Sequence, residues 1–307
     1  MEKSAAMDIK VLQNFLKIAE YENITKAAEE LHIAQPHLTR QLKALEQELD
    51  VTLFVRERKR LHITEEGRFF RQQAAHIVDL MDKTAAQLQD MKHGLSGTLY
   101  IGATETMSIA YLPDWLEGFR QKYPDVKYNL WSGNSTDVTE RLTRNLLDVA
   151  LVREPFDTER FASVHLLEER WIAVMNPNHP LAQRQQKSVA LEELSKEELL
   201  VPTQRIKEVG SWFTERKLSN HIICGFSPLM NAIIMAERSL GIAILPESAR
   251  QTAKTQGLAV RMIDDSPLSG ASVIWQRHLE QTGLAKRFIQ YIQRKVASDQ
   301  KVNTEKA

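Results

Sequence analysis

The hydrophobic and polar positions of the chain fall into two regimes. Apolar residues recur at helical spacing through residues 8–95, where breakers are few. From 96 to 297 short apolar runs alternate with helical segments, and most of the glycine and proline lies there. The change falls over residues 94–97, within HGLSGTLYIG, and marks a first domain boundary. The first helix reads MDIKVLQNFLKIAEY, with Ile9, Leu12, Phe15, Ile18 and Ala19 on one face. ENIT breaks it. A second helix starts at Thr25 and points Ala27, Ala28 and Leu31 inward. The small alanine pair lets another helix approach closely. A turn over 32–34 leads into QPHLTRQLKALEQEL. Pro36 suits its first turn, where a missing N–H has no intrahelical acceptor. Leu38, Leu42, Leu45 and Leu49 form the buried stripe, which leaves Gln35, His37, Thr39, Arg40 and Lys43 on or near the outer face.

Two short helices joined by a tight turn, the second opening with polar side chains, describe a helix-turn-helix. Such a second helix places its N-terminal part in the DNA major groove. Arg40 or Lys43 can donate to guanine O6 and N7, and Gln35 can pair with an adenine edge. His37 and Thr39 can take phosphate or base contacts. Spacing alone fits an amphipathic helix with a solvated face equally well. The next segment tips the balance. VTLFVRERKRLHITEEG reads as two short strands, Leu53, Val55, Leu61 and Ile63 alternating around the cations Arg56, Arg58, Lys59 and Arg60. A basic hairpin there is a wing, placed to track phosphates or the minor groove. Thr64 reads as an N-cap, with Glu65 and Glu66 favourably placed in the first turn of a helix over 65–93. Phe70, Ala74, Ile77, Met81, Thr84, Leu88, Met91 and Leu95 recur on that helix at alternating steps of four and three. This heptad seam asks for a partner helix, from a second chain or from the chain itself.

The segment FLKIAEYENITKAAEELHIAQPHLTRQLKALEQELDVTLFVRERKRLHITEEG closely resembles the N-terminal domain of LysR-type transcriptional regulators. The likeness rests on the paired alanines of the first motif helix, the QP…L-[ST]-R-Q-[IL]-K-x-LE-x-E-L run, the LF-x-R wing, and ITEEG at the entry to the linker helix. Residues 96–296 fit the same family more loosely. The resemblance implies an N-terminal all-α winged helix-turn-helix plus a long linker helix. A C-terminal α/β effector domain would follow, built of two doubly wound, periplasmic-binding-protein-like lobes. The implied domains are 8–64 for DNA binding, 65–94 for the dimerising linker, 95–167 with 269–297 for lobe I, 168–268 for lobe II, and 298–307 as a flexible tail. Carried over, Gln35, Pro36, His37, Thr39, Arg40 and Lys43 are the major-groove set. Arg56, Arg58, Lys59 and Arg60 lie in the wing, and Thr64 near a phosphate. Two departures bear on base preference: Ala34 stands where serine is common, and His37 replaces an often smaller residue.

In the second regime, Leu99 and Ile101 alternate as a strand that Gly102 ends, and Thr104, Glu105 and Thr106 precede a helix. Ser132, Gly133, Asn134 and Ser135 repeat the theme, and LLDVALV reads as a buried parallel strand. Ligands bind beyond the C-terminal ends of such strands, where helix N-termini favour anions. A second lobe starts at WIAVM, and crossovers near 167–170 and 264–270 form the hinge. By resemblance the effector lies between the lobes. Thr104, Thr106, Ser135, Thr203 and Ser227 are the candidate contacts, with Arg153 or Arg205 as counter-charge. Each has a plain alternative: the hydroxyls are typical helix caps, and the arginines can be solvated surface groups.

Composition, at 43% hydrophobic and 26% charged, is that of an ordinary globular protein and excludes a fibre or a disordered chain. Forty basic residues balance forty acidic ones, so DNA binding must come from a local patch. Residues 1–6 read as an extension ahead of Met7. Charges scattered through residues 1–20 exclude a secretory signal, and no run approaches the roughly 18 apolar residues of a membrane helix. A cytoplasmic protein with no membrane partner is expected. Cys224 is the one cysteine, which excludes a disulfide framework, and its setting in ICGF reads as a buried small hydrophobe rather than a redox sensor. None of the nine histidines forms a metal motif, and no phosphate-loop, dinucleotide or Gly-x-Ser-x-Gly pattern occurs. An enzyme is therefore not expected, nor a cofactor. A solute-binding protein would suit 97–297 alone but leaves residues 8–66 without a purpose. The expected partners are double-stranded DNA at an imperfect palindrome, a small-molecule effector with carboxylates among the candidates, and further copies of the chain in a homodimer or homotetramer. RNA polymerase is a candidate as well.

Overall fold

The computed structural model describes residues 7–57, 60–90 and 96–304. They form two compact units, divided between Gln89 and Asp90.

In the first unit α1 (Ile9–Tyr21) starts where the Asp8 carboxylate accepts the Val11 N–H at 2.8 Å. Asn23 caps α2 (Ile24–Glu30) by accepting from the N–H groups of Thr25 and Lys26, so this helix begins one residue before the expected start. His32 adopts a left-handed conformation (φ 55°) in the turn to α3 (Gln35–Leu49). Ala27 and Ala28 are fully packed, as their small size suggested. Strands β1 (Phe54–Glu57) and β2 (Arg60–Ile63) pair antiparallel, and α4 (Glu65–Asp90) follows.

The core of this unit gathers Phe15, Ile18, Leu38, Leu45 and Leu53. Phe15 lies 5.6 Å from the Phe54 ring and 4.8 Å, edge-on, from Phe70. The wing alternation needs a correction. Leu53 and Phe54 are both buried and Val55 faces water. The reason is the Glu46 carboxylate, which accepts the N–H groups of Leu53 and Phe54 at 2.8 and 3.1 Å. That anchor holds both residues against the core, and Val55 and Arg56 after them are both exposed, so β1 does not alternate. Helix α4 spans about 39 Å at 1.5 Å per residue. Its Phe70 and Ala74 join the core, whereas Ile77, Met81 and Leu88 are 45%, 43% and 59% exposed. Met91 and Leu95 of the expected seam lie outside the described residues.

The second unit holds two sheets. Lobe I runs β3 (Gly97–Thr104), α5 (Glu105–Lys122), β4 (Val126–Gly133), α6 (Ser135–Thr143), β5 (Val149–Arg153) and β6 (Phe161–Glu169). Lobe II runs β7 (Trp171–Met175), β8 (Ser188–Val189), α7 (Leu191–Leu194), β9 (Glu198–Pro202), α8 (Ile206–Glu215), β10 (His221–Phe226), α9 (Leu229–Glu237), β11 (Ile242–Pro246), α10 (Arg250–Thr255) and β12 (Ala259–Ile263). The chain returns to lobe I as β13 (Ser269–Gln276) and α11 (Gly283–Thr304). Sheet orders are β4-β3-β5-β13-β6 and β10-β9-β11-β7-β12-β8. In each, three strands are parallel (β4, β3 and β5 in one, β10, β9 and β11 in the other) and an antiparallel strand, β13 or β7, extends one side; β6 then pairs antiparallel with β13, β12 pairs antiparallel with β7, and β8 pairs parallel with β12. Gly102 does not end β3, which runs on to Thr104. A Cβ at 102 would meet Leu147 at 2.4 Å and Val138 at 3.0 Å, so glycine there admits α6 and its loop onto the sheet. β6 continues lobe I to Glu169, two residues beyond the expected boundary at 167. α11 packs Leu284, Ala285, Phe288, Ile289 and Ile292 into lobe I. It extends past 298, where a flexible tail was expected, to Thr304.

The corrected wing can be checked by melting. Phe15→Ala empties the buried centre and should cost about 3–5 kcal/mol. Val55→Ala should stay within about 0.5 kcal/mol, as for an exposed position.

Candidate functional site

Two surfaces carry the candidate residues. On α3, Pro36, His37, Arg40 and Lys43 are exposed on one side, while Leu38, Leu42 and Leu45 face the core. Gln35 and Thr39 are half-buried and engage each other. The Gln35 amide donates to Thr39 Oγ1 at 2.9 Å, and Thr39 Oγ1 donates to the Gln35 carbonyl at 3.0 Å. One helical turn is thereby stiffened at the end that a groove would receive. Ala34 at the N-cap offers no side-chain bond, so the first amides of α3 have no side-chain cap. Arg56 is exposed on β1. Arg58 and Lys59 lie outside the described residues, and Arg60 is placed by its backbone within β2. Thr64 has a structural task. Its hydroxyl donates towards the carbonyls of Thr52 (2.7 Å) and Leu53 (3.1 Å) and accepts the Gly67 N–H at 2.9 Å. The expected N-cap is there, and the hydroxyl has no proton left for a phosphate.

Between the lobes of the second unit lies a cavity of about 510 Å³. Parallel strands β3 and β4 of lobe I and β10 of lobe II end at it, and helices α5, α6 and α9 begin at it. Six of the seven expected residues line it: Thr104, Thr106, Ser135, Arg153, Arg205 and Ser227. Thr203 does not. It is exposed and sits beside Gly225, while its neighbours Pro202 and Gln204 face the cavity. Thr104 Oγ1 is buried with no hydrogen-bond partner. The sequence reading also passed over Glu105, Asn134 and Gln204, which share the lining.

Arg153 is neither a solvated surface group nor a free counter-charge. Its guanidinium is buried and donates to Glu169 Oε1 at 2.7 Å, Ser248 Oγ at 3.0 Å, Ser269 Oγ at 3.1 Å and Thr106 Oγ1 at 3.3 Å. Ser248 belongs to lobe II and the other three partners to lobe I. The second oxygen of Glu169 accepts the Ser248 N–H. This clasp therefore stands at the junction where β6 hands over to β7. Burial lowers the Arg153 pKa from the ordinary arginine value, and the Glu169 carboxylate opposes that shift. Burial, reinforced by Glu169, pushes the nearby Tyr111 hydroxyl up to about 12, so it adds no charge at neutral pH. Arg205 pairs with Glu208 at 2.5 Å and reaches the Glu154 carbonyl of lobe I at 3.4 Å. Burial pushes the Glu154 carboxyl up, but hydrogen bonds from Ser272 (2.6 Å) and His165 (2.9 Å) outweigh it and hold the pKa below its usual value. Cys224 is half-buried on β10 and has no thiol partner, being the one cysteine of the chain. No cluster of metal-ligating side chains occurs among the described residues. No helix among them is long and apolar enough to cross a membrane.

A helix-turn-helix with its polar face free, in a chain that also folds a two-lobed cleft, defines a ligand-responsive DNA-binding protein. Comparison with known families agrees. Residues 9–68 match the bacterial regulatory helix-turn-helix protein of the lysR family, and residues 92–297 match the LysR substrate binding domain. The chain belongs to the LysR family of transcriptional regulators, and it is a regulator rather than an enzyme. Among relatives, the uncharacterized HTH-type transcriptional regulator YnfL of Escherichia coli is 27% identical over 92% of this chain and 96% of its own length. The HTH-type transcriptional regulator IlvY of Escherichia coli is 29% identical over 78% of this chain and 82% of its own. The fold is shared with full-length CbnR, solved in complex with its target DNA, at a TM-score of 0.78 and 22% identity, covering 94% of this chain and 99% of that one.

The clasp makes a quantitative prediction. Glu169→Ala leaves the Arg153 charge buried without its anion and should destabilise the second unit by about 3–5 kcal/mol in urea unfolding. The double variant Arg153→Met with Glu169→Leu removes both charges and should cost clearly less. Equal losses would show that packing, not charge, is what the pair supplies.

Proposed function

We propose that two or four copies of this chain assemble through α4 and bind an imperfect palindromic operator with α3 of each DNA-bound pair. A small molecule in the lobe cavity would change how the assembly holds DNA. The observation that carries this reading is the pairing of two exposed features in one unit: the cationic face of α3 and the apolar seam of α4. A two-fold assembly mirrors a palindrome, so half-site spacing follows from the protein's own geometry. Gln35, Pro36, His37, Thr39, Arg40 and Lys43 are proposed as the groove set and Arg56, Arg58, Lys59 and Arg60 as wing contacts. Thr64 acts by starting α4.

In the cavity, Thr104, Thr106, Ser135 and Ser227 are proposed as hydroxyl contacts and Arg205 as the cation nearest to availability, since Arg153 is committed to the clasp. Helix N-termini around the cavity favour a carboxylate. The ligand can shift the assembly only if it binds one arrangement better than another. A protein that reads operators works where the chromosome is, so we place it in the cytoplasm, with RNA polymerase as the machinery it acts on.

Two measurements test this. Arg40→Ala should cost about 1–3 kcal/mol on the cognate operator and relax base preference there, whereas Lys59→Ala should weaken all duplexes about equally. Equal loss on cognate and scrambled DNA for Arg40→Ala removes it as a reader. Ile77→Asp with Leu88→Asp should convert the assembly to monomers by sedimentation and abolish palindrome binding. An unchanged oligomer would mean that the seam is not the interface.

A further inference from the structure

We propose that Glu105 is a latch between the lobes: it occupies, with the protein's own carboxylate, an anion position at the start of α9, and the acid group of an incoming ligand takes that position over. The inference rests on the reading that the cavity binds an effector, and adds how the empty cavity is held and what chemistry opens it.

Glu105 is the first residue of α5 in lobe I, and its Oε2 accepts the N–H of Leu229 at 2.5 Å. Leu229 is the first residue of α9 in lobe II, 124 positions away. The first amides of a helix have no partner within it, and the helix dipole favours negative charge there. Here the residue before is Pro228, which has no N–H, and α9 has no cap from its own side chains. Leu229 is buried, 3% exposed, so water cannot easily satisfy its amide. A bond across the lobes is what caps this helix.

A second, independent feature points to a ligand at the same place. Thr104 precedes Glu105 and lines the same cavity, is 9% exposed, and its hydroxyl has no hydrogen-bond partner. An unpartnered buried hydroxyl is costly and is normally satisfied. The cavity lining thus holds one anion position filled from within and one buried hydroxyl with nothing to bind. A small organic acid can take the first, and an acceptor on it that reaches Thr104 satisfies the second. When its acid group caps α9, Glu105 is released, and the lobes are then joined through the ligand instead of through the protein.

The test uses the full-length chain without effector and takes acetate as the probe. Glu105→Ala should speed amide hydrogen exchange across residues 226–234 by about tenfold or more, as local opening does when a cap is lost. It should also lengthen and broaden the distance between spin labels on the two lobes (Lys127→Cys and Lys254→Cys in a Cys224→Ser background). Sodium acetate should restore both, and sodium chloride at equal ionic strength should not. Glu105→Gln, which keeps the shape and one acceptor oxygen, should fall between. Unchanged exchange and distance in Glu105→Ala overturn the latch. So does a loss that acetate leaves unrestored, which would make Glu105 a packing residue. Failure of the effector reading shows separately: no cell metabolite would raise the melting temperature of the wild-type chain, while Glu105→Ala would still speed exchange over residues 226–234 and acetate would still slow it.

Discussion

An isolated helix cannot cover a seam that runs along its outer half. In α4 the first turns sit in a core, with Phe70 against Phe15, and the later turns present Ile77, Met81 and Leu88 to water. In the proposed assembly a second copy of α4, which carries the same seam, removes that apolar surface from water. That constraint sets the logic of the N-terminal unit. The wing and α3 are tied to the start of α4 by Thr64 and Glu46, so whatever fixes α4 beside its partner also fixes the two recognition helices. Reading a palindrome is then a consequence of symmetry more than of any single base contact.

The second unit solves a different problem. Two sheets are joined by only two crossings, at Arg170 and over 264–268, a junction with little covalent restraint. Side chains supply the rest. Arg153 and Glu169 form a buried ion pair that also holds Ser248 of the other lobe, and Glu105 reaches from α5 to the first amide of α9. Both contacts join groups that are costly to leave unpaired once out of water. A cleft held by a few such bonds can rest in one state and still respond to a ligand that replaces one of them.

How much of this was legible beforehand depends on the range of the interaction. The helix-turn-helix was readable because its signals are local: the small Ala27–Ala28 pair, the leucine stripe of α3, and the capping residue Thr64. The inward placement of Phe54 over Val55 was not, because it depends on Glu46 seven or eight positions earlier. In the cleft, strand ends followed by hydroxyl residues pointed to the cavity mouth, and six of the seven residues named there line it. Thr203 falls outside the lining because the 3-10 turn after β9 faces Gln204 towards the cavity instead. The roles of Glu169 and Glu105 were not legible, since their partners lie 16 and 124 positions away and no periodicity links them. Arg153 was noticed for its charge, but only the fold reveals that its charge is already matched.

The central claim is that this chain reads specific operators, and selection from genomic DNA tests it most directly. Purified full-length protein is bound to sheared DNA from its own source, and the retained fragments are sequenced at low and at raised salt. The account predicts a few retained sites with imperfect two-fold symmetry that survive the added salt, while random fragments are lost as phosphate contacts weaken. Retention of random DNA alone, or of sites without two-fold symmetry, in the presence of cell metabolites that could serve as effector, would contradict it.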